Sequence, residues 1–105
     1  MVARIWHGWT SPEKASEYEK LLLTEIFPGI ERKNVKGYRK ISLLKRPAQH
    51  EVEFITIMIF DSIDAVREFA GEDYEKAYVP PKGQQVLSRY DATSRHYEVL
   101  HEFNY

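Results

Sequence analysis

The sequence predicts an α+β domain of the split βαβ, ferredoxin-like kind, a single antiparallel sheet in the order βαββαβ with its helices on one face. Three observations carry this expectation. Short runs rich in β-branched and aromatic residues alternate with stretches whose apolar residues step by three or four. Two adjacent strand-like runs are separated only by Pro47-Ala48-Gln49-His50, a loop of hairpin length. The last stretch returns to a period of two, which supplies the fourth strand.

The first run, residues 2–10, is short and carries Val2, Ile5, Trp6, Trp9 and Thr10, as a strand would. A helix start follows: Thr10 offers a hydroxyl, Pro12 suits a first turn, and Glu13 stands at capping-box spacing from Thr10. Ala15, Tyr18, Leu22 and Ile26 then form one helical stripe, and Pro28-Gly29 is expected to end it. Residues 31–36 read as a polar connection, residues 37–46 and 51–60 as strands two and three. Asp61 or Ser62 caps a second helix with Ile63, Val66, Phe69 and Ala70 on its apolar stripe, stopping at Gly71. Residues 72–78 are expected to form one or two helical turns, Pro80-Pro81 breaks them, and residues 82–90 suggest a third short helix. Residues 93–103 alternate as a final strand. No repeat, linker or low-complexity tract interrupts the chain, so residues 1–105 read as one domain.

Composition narrows the function classes. With 15 basic against 16 acidic residues the formal charge is -1, which gives no footprint for nucleic acid or an anionic membrane. There is no cysteine, hence no disulfide, thiol nucleophile or cysteine metal site. The start lacks a basic flank before a long apolar run, so no signal peptide or membrane span is expected and the cytoplasm is the default location. Phosphate-binding glycine loops, nucleophile elbows and dinucleotide fingerprints are also missing.

Strand three breaks the alternation of a sheet with one wet face. Val52, Phe54, Thr56, Met58 and Phe60 occupy one side, yet Ile55, Ile57 and Ile59 make the other side apolar too. The chain's own helices can cover only one side. At about 25 cal/mol per Å² of apolar surface, leaving the second in water forgoes several kcal/mol. A second copy packed sheet against sheet is the expected cover.

Several strings carry a resemblance over essentially the whole chain. They are Ala3-Arg4-Ile5-Trp6 before Ser11-Pro12-Glu13-Lys14, Phe60-Asp61-Ser62 leading into Ala65-Val66-Arg67-Glu68-Phe69-Ala70-Gly71-Glu72-Asp73, and the closing His96-Tyr97-Glu98-Val99. With these the sequence resembles the antibiotic biosynthesis monooxygenase-like family of dimeric α+β barrels. The resemblance implies a homodimer and one pocket per subunit between sheet and helices. It implies cofactor-independent oxygenation of an aromatic or quinol-type molecule, with no cofactor or metal. A non-catalytic binding module, an isomerase or decarboxylase, and a haem-degrading relative are the other occupations of the fold. The haem-degrading branch uses an Asn on strand one, a Trp on helix two and a His soon after it. Here strand one has no Asn, Phe69 stands at the Trp position and Tyr78 at or beside the His.

Within that frame His7 is the expected catalytic base, provided its side of strand one, shared with Trp9, looks toward the helices. The plainer reading is a partly buried His bonded to backbone. Trp6, with Arg4 and Gly8, is then assigned to the opposite side, packing across the barrel. Trp9, Tyr18, Phe69, Tyr74, Tyr78 and His96 are the expected substrate-binding residues, against a background in which helical aromatics simply pack. His96 and His101 fall on opposite faces of the last strand, and His96 with Glu98 lacks a third ligand, so no metal site is expected. His50 belongs to the hairpin turn.

Overall fold

The computed structural model describes all residues, Met1–Tyr105. β1 (Val2–Thr10) runs through the middle of the sheet. β2 (Tyr38–Pro47) and β3 (Val52–Phe60) form the expected hairpin, and β3 pairs antiparallel with β1 from Val2 opposite Phe60 to Thr10 opposite Val52. The other edge of β1 is shared by two short strands, β4 (Arg89–Tyr90) beside Gly8-Trp9 and β5 (Arg95–Glu98) beside Val2–Ile5. The order β2-β3-β1 followed by β4 and β5 is the ferredoxin-like one.

The first helix departs from expectation in an informative way. A 3-10 turn (Pro12–Lys14) leads into α1 (Ala15–Leu21), a π-helical turn (Leu22–Ile26), and α2 (Phe27–Arg32), so the helical path runs through Pro28-Gly29 instead of stopping there. Pro28 lacks an N–H and would leave a regular helix with a missing bond. The π turn precedes it, with the Phe27 N–H donating to the Leu22 carbonyl, and Pro28 falls in the first turn of α2 where no N–H is required. The Thr10–Glu13 capping box does not form. Thr10 is the last residue of β1, fully buried, and its hydroxyl has no partner.

α3 (Ile63–Ala70) begins as expected, with the Ser62 hydroxyl accepting from the Ala65 N–H at 3.2 Å. It ends at Gly71, whose φ of 90° only glycine adopts freely. Residues 72–78 are bends, one turn and irregular backbone, not helix, tied to the segment before β5 by a Lys76–Thr93 bridge. The third short helix is α4 (Pro81–Val86), shorter than expected because Arg89-Tyr90 are taken as a strand by β1. The last strand is shorter too. The Val99 N–H still reaches the Met1 carbonyl, but β1 starts at Val2, so residues 100–105 have no strand to pair with and are exposed.

The core divides in two. Tyr18, Leu22, Val52, Phe54, Val86 and Leu87 pack with Ala15 and Val79 at one end of the helix side; Met58, Phe60, Ala65 and Val66 pack at the other. Phe54, fully buried, meets Tyr18 edge-on at 5.1 Å between ring centroids. Phe54→Ala is expected to lose about 3–5 kcal/mol of stability in urea denaturation, as truncation of a fully buried ring does. A loss under about 1 kcal/mol would mean that this end of the core is not packed as described.

Candidate functional site

Alternation along β1 decides what the space between sheet and helices contains. Arg4 lies opposite Met58, Trp6 opposite Thr56 and Gly8 opposite Phe54, so this phase of β1 shares the helix side with the buried phase of β3. Ala3, Ile5, His7 and Trp9 therefore take the other side, with Ile59, Ile57, Ile55 and Glu53. The expected assignment of the two faces is thus inverted: Trp6 enters the helix side and His7 does not. Strand one is apolar in both phases, so its own pattern could not orient it. The register against β3 does, since only one phase of β1 can share a face with Phe54 and Phe60.

Gly8 makes the inward turn of Trp6 possible. A β-carbon at Gly8 would stand 2.6 Å from the Trp6 ring, which folds back over it, and the indole N–H donates to the Asp91 carbonyl at 2.8 Å. Between Trp6 and the helices lies a cavity of about 790 Å³, within the range that holds small organic ligands. Trp6, Met58 and Ile41 form its sheet wall, Tyr18, Leu22 and Ile26 its helix wall, and Phe69 and Pro80 its ends. The π turn contributes directly, since Leu22, Glu25 and Ile26 all face this space.

The one charged group deep in this wall is Arg4, 6% exposed. Its Nη1 donates to the Tyr74 carbonyl at 2.5 Å and stands 3.0 Å from His96 Nε2, and its guanidinium lies 5.7 Å from the Phe69 ring centroid. No carboxylate pairs with it. Burial pulls its pKa down, although a guanidinium remains charged at any physiological pH. Lys33 stands 4.6 Å from the same Phe69 ring and donates to the Phe69 carbonyl at 3.2 Å. Burial pushes the Tyr18 phenol up, so it stays protonated.

The expected binding residues divide accordingly. Tyr18, Phe69 and Tyr78 line the cavity, Tyr78 as a rim residue 79% exposed. Tyr74 and His96 sit together just behind Arg4, edge to face at 5.1 Å, where they open onto a second, polar hollow of about 500 Å³. Trp9 and His7 stack on the outer face at 6.0 Å; the His7 Nδ1 is 2.8 Å from Glu53, and Arg89 covers Trp9 at 3.7 Å while pairing with Glu51. Sequence reading missed Arg4, Trp6 and Lys33 as cavity residues. Gly8, two residues from Trp6 and in the same phase, was the available signal.

The ferredoxin-like α+β fold defines the class, and solved structures give it particular company. The haem degrader MhuD of Mycobacterium tuberculosis, solved with two haems bound in its active site, superposes with a TM-score of 0.62 at 19% identity, over 99% of this chain and 100% of that one. A candidate antibiotic biosynthesis monooxygenase from Bacillus cereus gives 0.62 at 11% identity, over 99% and 94%. The chain has the fold these proteins share, as the resemblance implied. No family model matches the sequence. A curated protein of Bacillus pumilus, named as a candidate metal-dependent hydrolase, is 32% identical over 74 residues, which are 70% of this chain but 42% of that protein. The chain thus spans less than half the length of that relative. No group of three or more His, Asp or Glu side chains here is placed to hold a metal ion, and no helix is long and apolar enough to cross a membrane.

His96 offers a pH test of the arrangement behind Arg4. Burial, then the Arg4 charge, lowers its pKa, with Glu75 opposing. A histidine depressed in the folded state binds its proton better when unfolded, so stability is fully present above the unfolded value near 6.5 and falls as pH drops through it. The thermal midpoint is expected to decline between about pH 7 and 5.5, and His96→Gln, which keeps a neutral acceptor for Arg4, should flatten that decline. An identical slope in the variant would show that His96 does not face the Arg4 charge.

Proposed function

We propose that the chain binds a small, largely apolar, ring-bearing molecule of aromatic or quinol type in the cavity between its sheet and helices. The observation that carries this reading is the hollow itself: a space of about 790 Å³ walled by Trp6, Met58 and Phe69 where the core of so small a domain would otherwise be filled. Aromatic walls of this kind hold flat rings by stacking and exclusion of water. Phe69, Tyr18, Trp6 and Tyr78 contact the ring; Tyr74 and His96 act from behind Arg4. Titration calorimetry with 2-naphthol is the test. Saturable binding is expected, weakened at least about tenfold in Met58→Trp, which fills the hollow, and unchanged in Ile55→Trp on the outer face. Equal binding by both variants would remove the reading.

The Bacillus cereus likeness supports a catalytic extension, cofactor-independent oxygenation of the bound phenol or quinol in its ionised form. His7 is not the base in that extension, because its imidazole is held by Glu53 on the far side of the sheet. The MhuD likeness supports haem less well. No histidine lines the cavity, His96 Nε2 is engaged by Arg4, and Tyr18 is held in its protonated form, so the residues present do not supply the usual axial ligand.

The same reading places a second copy of the chain, in the cytoplasm, on the outer face. That face carries Ile5, Ile55, Ile57 and Ile59 with Trp9, bordered by Arg89, Glu51 and Glu53, a patch of both charges that can meet itself across a two-fold axis. Light scattering is expected to give twice the chain mass of 12.4 kDa, and Ile57→Lys to give a folded or unfolded monomer. A wild-type protein of single mass at micromolar concentration would count against it.

A further inference from the structure

We propose that the molecule bound in this cavity carries a carboxylate, and that Arg4 is the residue that receives it. The inference rests on the cavity reading above and names the chemistry of its occupant. A guanidinium taken out of water without a counter-charge is a costly feature for a small domain to keep. Arg4 is buried to 6% exposure, lines the cavity, and has no ion-pair partner anywhere in the chain. Only Nη1 is engaged, by the neutral acceptors Tyr74 O and His96 Nε2. Nε and Nη2 have no protein acceptor, which leaves one edge of the guanidinium fork for the two oxygens of a carboxylate. Tyr74 and His96 hold the group in place without neutralising it.

The charge around the cavity agrees independently. Arg4, Lys33, Lys76 and Lys82 line it against Glu25 alone, and Glu25 is already held by Lys82 at 2.7 Å. The chain as a whole has a formal charge of -1, so this excess of cations is local. Lys33 and Arg4 both approach the Phe69 ring, at 4.6 and 5.7 Å, which sets the anion site beside an aromatic wall. An aromatic or otherwise planar acid satisfies both features at once: its ring takes the apolar walls and its ionised oxygens take Arg4.

The test uses the full chain and three probes on one scaffold at pH 7.5, namely 2-naphthoate, its neutral isostere 2-naphthamide, and 2-naphthol. Titration calorimetry is expected to show 2-naphthoate binding at least about tenfold tighter than 2-naphthamide, with Arg4→Gln erasing the difference and Arg4→Lys retaining part of it. Equal affinity of acid and amide in the wild-type protein overturns the proposal while leaving the cavity reading intact; failure of all three probes to bind overturns both. If 2-naphthol binds tightest and shows the absorption of its ionised form, the site receives a phenolate and the carboxylate assignment falls. A second measurement separates recognition from mere tethering of the Tyr74 segment. Arg4→Met is expected to raise the thermal midpoint of the ligand-free protein, since it removes a buried charge that has no counter-charge. A fall in the midpoint, with unchanged 2-naphthoate binding, would make Arg4 a structural residue only.

Discussion

The antiparallel pairing of β1 with β3 is the constraint on which the rest of the molecule depends. All nine residues of β1 are matched to β3, and the free edge of β1 then supports β4 and β5, so every strand but β2 is registered on it. Because side chains alternate with a period of two, a slip of one residue would carry Arg4 and Trp6 to the outer face and bring His7 and Trp9 inside. The register is held by burial on β3, where Val52, Phe54, Met58 and Phe60 must face the helices together. The two chemically different surfaces of this protein are therefore two phases of one strand. The inner phase presents a cation and an indole to a hollow; the outer presents isoleucines and a His–Glu pair on the opposite face of the sheet.

The hollow follows from how the core is distributed. Only 18 of 105 residues are buried, and the apolar ones among them gather mainly in two clusters separated along the helix side, not in one continuous body. Trp6 does not close the gap: it folds back on Gly8 and is held there by its bond to Asp91. Nor does the first helix, whose π turn gives it an extra residue per turn where Leu22 and Ile26 face the space. A proline that would break a regular helix is thereby absorbed, and the widened turn becomes cavity wall. Local irregularity and site coincide here, as they do in π turns generally.

Much of the fold was legible because it rests on periodicities that tertiary packing reinforces. The strands of the hairpin, the Ser62 cap and the Gly71 stop all express local rules, and the structure follows them. The errors lie where a neighbour overrode a local signal. Pro28-Gly29 looked like a helix end until the π turn compensated for it; residues 82–90 read as helix, but β1 had an unpaired edge at Gly8-Trp9 that drew in Arg89-Tyr90. The last strand stops where β1 runs out of residues to pair with, which no pattern in residues 93–103 could announce. For the site, Tyr18 and Phe69 were legible as cavity residues because aromatics on helical stripes face the sheet, whereas Tyr78 reaches the cavity rim from an irregular segment outside any helix. The orientation of β1 was not legible, since both of its phases are apolar enough to be buried, and Arg4 was overlooked because an arginine on a strand ordinarily points to water.

A divided core has a consequence for how this protein is stabilised. In a domain of this size the free energy of folding is a small difference between large opposing quantities, and apolar surface lining a hollow contributes less than the same surface in close contact. A molecule that fills the space between Trp6, Met58 and Phe69 supplies the missing contacts, and if it brings an anion to Arg4 it also offsets the one charge buried without a partner. Binding and folding then draw on the same residues. Under the proposed function, ligand affinity appears as added stability by mass action. The surroundings that penalise Arg4 without a counter-charge are those that would strengthen its pairing with the proposed anion, since a low dielectric acts on both. Under the proposed function the two clusters and the hollow between them form an incomplete core that the bound molecule completes.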